Sequence, residues 1–196
     1  MPIEKFTRLV SSAVPLPAEN VDTDQILPAR FLKAVTREGF GEYLFRDLRF
    51  DSAGNPLPDF PLNRPEYAGR ILVAGRNFGS GSSREHAAWA LVDYGFRAVI
   101  SSFFADIFRN NALNNGLLPV QVSEQYLNVI FLAIDRDPKV RITIDLEKQK
   151  VMLGEDIYWF EINPFRKQCL LNGWDDVDYL LGLQNEIRKY EENSNT

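Results

Sequence analysis

The sequence is poor in the residues that most often hold metals. Its 196 residues include one cysteine, Cys169, and one histidine, His86. A single thiol closes no disulfide within the chain, which fits a reducing compartment. Nor can it anchor an iron–sulfur cluster or a zinc ion, each of which takes several side-chain ligands. Any such group must come from outside the chain. Positive charge is also short: 22 Lys and Arg stand against 27 Asp and Glu, a formal charge of −5, so no global basic field draws nucleic acid. Long apolar runs are missing. Nothing approaches the roughly 20 residues that span a bilayer, and Met1–Phe6 shows no signal-peptide core. The expectation is a soluble, cytoplasmic protein with neither nucleic acid nor membrane as a partner.

What is present is an ordinary globular balance, 45% hydrophobic and 25% charged, with length enough to bury a core unaided by disulfides or metal. The chain reads as one domain over 1–196, with 164–196 as a helical extension. A short strand is expected around Phe6–Ser11, then a Pro- and Asp-rich loop over Val14–Pro28. Phe31–Phe45 reads as short helices broken at Gly39 and Gly41, and Asp51–Pro65 as an irregular connection. The middle is sharper. Arg70–Ala74 is a continuous apolar run typical of a strand buried on both faces. A glycine-rich loop follows, then a helix over Ser82–Tyr94 stopped by Gly95, then a strand at Ala98–Ser101. That is a βαβ unit. A second helix is expected over Phe103–Asn114, a strand over Leu117–Val122, and a hairpin from Val140–Asp145 and Lys150–Met152. Trp174–Val177 opens a last amphipathic helix with Tyr179, Leu180, Leu183 and Ile187 on one face. The fold class is α/β, a mixed sheet flanked by helices.

Chemistry concentrates in Gly75-Arg76-Asn77-Phe78-Gly79-Ser80-Gly81-Ser82-Ser83-Arg84-Glu85-His86. Gly79 and Gly81 let the backbone turn tightly and come close to a ligand. If the helix begins at Ser82, its free N–H groups favour an anion. Two hydroxyls and a guanidinium then meet at that spot, and arginine grips a carboxylate through paired hydrogen bonds. A structural reading stands beside this one: Ser82-x-x-Glu85 is a capping box, which accounts for both residues without any ligand. The spacing is neither G-x-G-x-x-G nor a P-loop, so nucleotide binding drops out.

The run Gly79–Ala87 resembles the signature of the swivel domain of the aconitase superfamily. Asn20-Val21-Asp22-Thr23-Asp24-Gln25-Ile26-Leu27-Pro28 and Asn110–Pro119 resemble that domain in the same order. The tail Phe165–Asp176 is similar to the small-subunit family of bacterial isopropylmalate dehydratases. The resemblance implies a swivelling β/β/α-type domain and a hydro-lyase that interconverts 2-isopropylmalate and 3-isopropylmalate, in leucine biosynthesis, by removing and returning water. It implies no cofactor on this chain, a [4Fe-4S] cluster on a separate large subunit as partner, and a small dicarboxylic acid as substrate. It makes Ser82 the catalytic base and gives Ser83 and Arg84 a substrate carboxylate, with Gly79, Gly81, Thr23 and Asp24 as the supporting loop. Leu32, Lys33, Ala34 and Val35 form the segment that would set specificity, an apolar lining suiting an isopropyl group. A related hydro-lyase acting on citramalate or homoaconitate, or a non-catalytic anion-binding module, are the rivals. Asp22-Thr23-Asp24 also reads as an Asx-type turn. His86 reads as packing, and Cys169 as a small buried hydrophobe.

Overall fold

Short apolar strands build a parallel four-stranded sheet, and strands such as Ile142–Asp145 and Lys150–Leu153, which alternate buried and half-buried residues, build an antiparallel one. This computed structural model describes residues 3–32 and 39–182. Strand β1 is Arg8–Ser11, β2 Ala13–Leu16, β3 Ile71–Ala74, β4 Ala98–Ser101 and β5 Leu118–Gln121. Strand β6 is Ile142–Asp145, β7 Lys150–Leu153 and β8 Asp156–Trp159. The parallel sheet runs β2-β3-β4-β5 and the antiparallel sheet β1-β6-β7-β8. The parallel and antiparallel strands foreseen for one mixed sheet thus separate into two.

Helices α1 (Thr23–Ile26), α2 (Arg46–Arg49), α3 (His86–Tyr94) and α4 (Asp106–Asn114) precede β5; α5 (Glu124–Arg136), α6 (Pro164–Asn172) and α7 (Asp176–Gly182) follow it. Successive side chains of a strand point to opposite faces, and β3 shows both. Leu72 and Ala74 join a core with Phe40, Phe45, Leu91 and Phe108. Ile71 and Val73 join a second core with Leu127, Ile130 and Ile134 of α5 and with Ile144 and Val151 of the other sheet. All four β3 residues are fully buried, which explains why the run has no polar residue. The parallel sheet is therefore a wall between helices on one side and α5 with the antiparallel sheet on the other.

Several expectations change. The segment read as a loop from Val14 contains β2, whose Pro15 sits in register with Val73 of β3. The helix foreseen from Ser82 starts at His86, and no side chain caps it at Glu85. Likewise α4 begins at Asp106 rather than Phe103, since Ala105 is extended at φ −64°, ψ 135°. Helix α5 and edge strand β8 were not foreseen. The β6–β7 hairpin is as expected, with Asp145 opposite Lys150. In the extension, Tyr179 packs edge-on against Phe165, ring centres 4.5 Å apart; Leu183 and Ile187 lie outside the described residues.

Candidate active site

The loops leaving β2, β3 and β4 at their carboxyl ends meet one another, the place where open α/β sheets form their sites. Asp22 and Ser80 pair as an isolated parallel bridge, as do Phe78 and Phe104. Thr23 N–H donates to Ser80 O at 2.8 Å and Gly79 N–H to Val21 O at 2.8 Å. Gly79 is required twice over. Its φ is +79°, and a Cβ there would lie 2.2 Å from Phe108 Cγ. The ring of α4 thus fixes how closely the loop lies.

The turn opening α1 aims two side chains at the loop. Asp22 Oδ1 accepts the N–H groups of Asp24 and Gln25, each at 2.8 Å, and Gln25 Oε1 accepts Asp22 N–H at 3.0 Å. This is a complete capping box, and the Asx-type reading of these residues holds. The helix so started buries Thr23, 2% exposed, against the loop. Thr23 Oγ1 accepts Ser82 N–H at 3.2 Å and lies 3.2 Å from Ser82 Oγ. The next residue, Asp24, accepts Arg84 Nη1 at 2.7 Å and Ala29 N–H at 2.9 Å on the same Oδ1. The Arg84 hydrogen bond, then that of Ala29, hold the Asp24 carboxyl below its ordinary pKa. Gly81, Ser82 and Ser83 are exposed, and Arg84 and Glu85 are half-buried.

Ser82 therefore does not cap α3. Its hydroxyl faces Thr23, four residues ahead of the first helical position, so the capping-box reading of Ser82 and Glu85 and the direct helix-start argument both fall. The structure brings Ser82, Thr23, Asp24 and Arg84 into one chain of contacts, with Ser83 between them. One contributor was missed by the sequence reading: Asn111 of α4, whose Nδ2 donates to Ser83 O at 3.1 Å. Its motif was noted, but its partner lies 28 residues away, beyond any local pattern. His86 packs as foreseen, 4.4 Å from the Trp89 ring centre and 5.5 Å from that of Phe40, and burial pushes its pKa down. Leu32 is half-buried against the core; Lys33, Ala34 and Val35 lie outside the described residues. Arg30 donates to Asp47 through both Nη atoms. A cleft of about 500 Å³ lined by Arg30, Phe31, Tyr43, Arg46, Asp47 and Phe50 flanks that segment in the chain.

The model of the aconitase C-terminal domain matches residues 3–125, a stretch holding every residue of this cluster. The 3-isopropylmalate dehydratase small subunit of Christiangramia forsetii is 58% identical over 193 residues, 97% of this chain and 94% of that one. Its counterpart from Cytophaga hutchinsonii is 57% identical over 194 residues, 98% and 96% of the two chains. The chain belongs to the family of 3-isopropylmalate dehydratase small subunits. The 3-isopropylmalate dehydratase of Methanocaldococcus jannaschii has a similar fold, with TM-score 0.64 and 28% identity, covering 96% of this chain and 99% of that one. The chain's fold class is α/β, two sheets with their helices, with the loops that carry the Ser82 cluster on the parallel one. Among the described residues no helix is long and apolar enough to cross a membrane.

Proposed function

We propose that this chain is the small subunit of a heteromeric hydro-lyase that isomerises 2-isopropylmalate and 3-isopropylmalate in the cytoplasm, a step of leucine biosynthesis. The observation that carries the reading is near-full-length identity above 50% to relatives of that name, joined to the Ser82–Thr23 and Arg84–Asp24 contacts. The reaction removes a proton and a hydroxyl from neighbouring carbons, leaving a double bond, and returns water in the opposite sense. Ser82 Oγ takes the proton from the carbon beside a carboxylate and delivers it, on rehydration, to the neighbouring carbon that lost the hydroxyl. Arg84 and the Ser83 hydroxyl hold that carboxylate, Asp24 keeping the guanidinium aimed. A serine is a weak base in water, so the alkoxide needs fixed donors and a dry site. Ser82 is exposed here, and a covering partner supplies the exclusion of water.

That partner is a large subunit bearing the [4Fe-4S] cluster, which serves this class as a Lewis acid. The donor set of this chain does not fit the cluster. Its one cysteine, Cys169, is buried, and among the described residues no three His, Cys, Asp or Glu side chains gather. No step of the chemistry is assigned to it on this chain. Co-expression with a cluster-bearing large subunit tests the reading. The complex is expected to interconvert the two isopropylmalates faster than it hydrates or dehydrates citramalate or homoaconitate. A pair that prefers either of those acids, or turns over none, overturns it.

A further inference from the structure

Left to local preference, Ser82-Ser83-Arg84-Glu85 would wind into α3. Ser82 is a good N-cap, Glu85 stands at the capping-box position, and the helix that follows is continuous from His86 to Tyr94. Winding would direct the Ser82 hydroxyl to the N–H of Glu85 and swing Arg84 around the first turn, away from Asp24. Two side chains from other elements oppose this. Thr23 holds the Ser82 end through its N–H, and Asn111 Nδ2 holds the Ser83 carbonyl at 3.1 Å. Asn111 is itself tied into α4: Asn115 Nδ2 donates to Asn111 O at 2.7 Å, and Trp89 Nε1 of α3 donates to Asn115 Oδ1 at 2.9 Å. The unwound loop is thus braced from α3 through α4.

We infer that Asn111 is a positioning residue for the reaction: by holding the Ser83 carbonyl it keeps residues 82–84 out of α3, leaving Ser82 free as base and Arg84 on Asp24. The inference rests on the hydro-lyase reading for its catalytic consequence, whereas the conformational consequence stands alone. Asn111→Asp is the discriminating variant, equal in size but without the Nδ2 donor. Asn111→Ala removes the side chain altogether. In the assembled complex both variants lower kcat/KM by about 10- to 100-fold, the scale of a misplacement near 1 Å. KM rises as the Ser83–Arg84 clamp loosens, and kcat falls as Ser82 moves.

A purely structural role for Asn111 would lower the melting temperature and leave kcat/KM of the folded complex unchanged, most clearly in Asn111→Asp. The second readout needs no activity. In the free full-length chain, Cα chemical shifts of residues 82–84 move toward helical values in both variants. Shifts that stay at wild-type values, or an Asn111→Asp complex with wild-type kcat/KM, overturn the inference. A wild-type complex inactive on isopropylmalate would sink the hydro-lyase reading instead, and the chemical shifts would still decide the role of Asn111.

Discussion

Asp22-Thr23-Asp24-Gln25 and Ser82-Ser83-Arg84-Glu85 carry the same local signature, a short polar side chain followed three residues later by a longer one. In the first, both reciprocal bonds form and a four-residue helix starts. In the second neither forms, and the helix waits until His86. The difference lies in what faces them. The Asp22 carboxylate accepts from the backbone of its own turn, whereas the Ser82 hydroxyl faces Thr23 and the Ser83 carbonyl accepts from Asn111. A capping signature is a statement of local preference, and a modest tertiary contact outweighs it because a cap contributes only about 1 kcal/mol. One turn caps its own helix; the other keeps its hydroxyl clear of the helix that follows.

Breaking the second segment at its hydroxyl has the largest consequence. Ser82→Ala in the assembled complex should lower kcat by about 100- to 10,000-fold, the range of a general base, with KM little changed. Steady-state kinetics would decide, and an unaltered kcat would return Ser82 to a structural role. Arg84→Lys keeps the charge and loses the fork geometry, so KM should rise roughly tenfold, about 1.4 kcal/mol of binding, with a smaller effect on kcat. Saturation curves distinguish this from a loss of turnover alone.

The caps themselves sharpen the contrast through stability. Asp22→Ala should cost about 1 kcal/mol, a fall of about 2–4 °C in Tm for a chain of this size. Glu85→Ala, which removes no cap bond, should stay within about 0.5 kcal/mol of wild type. Equal losses in thermal melts would erase the distinction between the two segments. The smallest effect concerns acid. The Asp24 carboxyl is held below its ordinary pKa chiefly by Arg84. Its contribution is therefore complete above the unfolded-state value and disappears as pH falls through the depressed folded value. Asp24→Asn should lie slightly below wild type in Tm at neutral pH and converge with it in strong acid. A gap that widens on acidification would have the wrong sign.

The parts of the fold legible in the sequence are those whose cause is local. The run Ile71–Ala74 is apolar throughout because both of its faces are buried, and Gly95 ends α3 in the left-handed region at φ 112°. Strand β8 was hidden because Asp156–Trp159 is short and largely exposed, Trp159 at 67%. Strand β2 was masked by Pro15, a residue expected at sheet edges, which is where β2 lies in the parallel sheet. Helix α5 was legible and overlooked: Ser123 caps it, and Leu127, Ile130 and Ile134 repeat at helical spacing on the buried face. The site divided along the same line. Its glycines, serines and arginine stand together in the chain. Thr23 and Asn111 come to it across 59 and 28 residues, and only the fold brings them there.

The brace behind Asn111 also bears on how the chain ages. Asn115 precedes Gly116, the pairing most prone to deamidation because an unhindered backbone nitrogen can attack the side-chain amide. Here Asn115 Oδ1 accepts from Trp89, its Nδ2 donates to Asn111 O, and Gly116 N–H donates to Leu113 O at 3.3 Å. Both reacting groups are occupied, so the native fold slows the cyclisation. Once formed, an aspartate at that position would have no amide to give Asn111, and the brace would fail from its far end. The Trp89–Asn115 and Asn115–Asn111 hydrogen bonds thus bear on both the chemical lifetime of Asn115 and the brace of the serine loop.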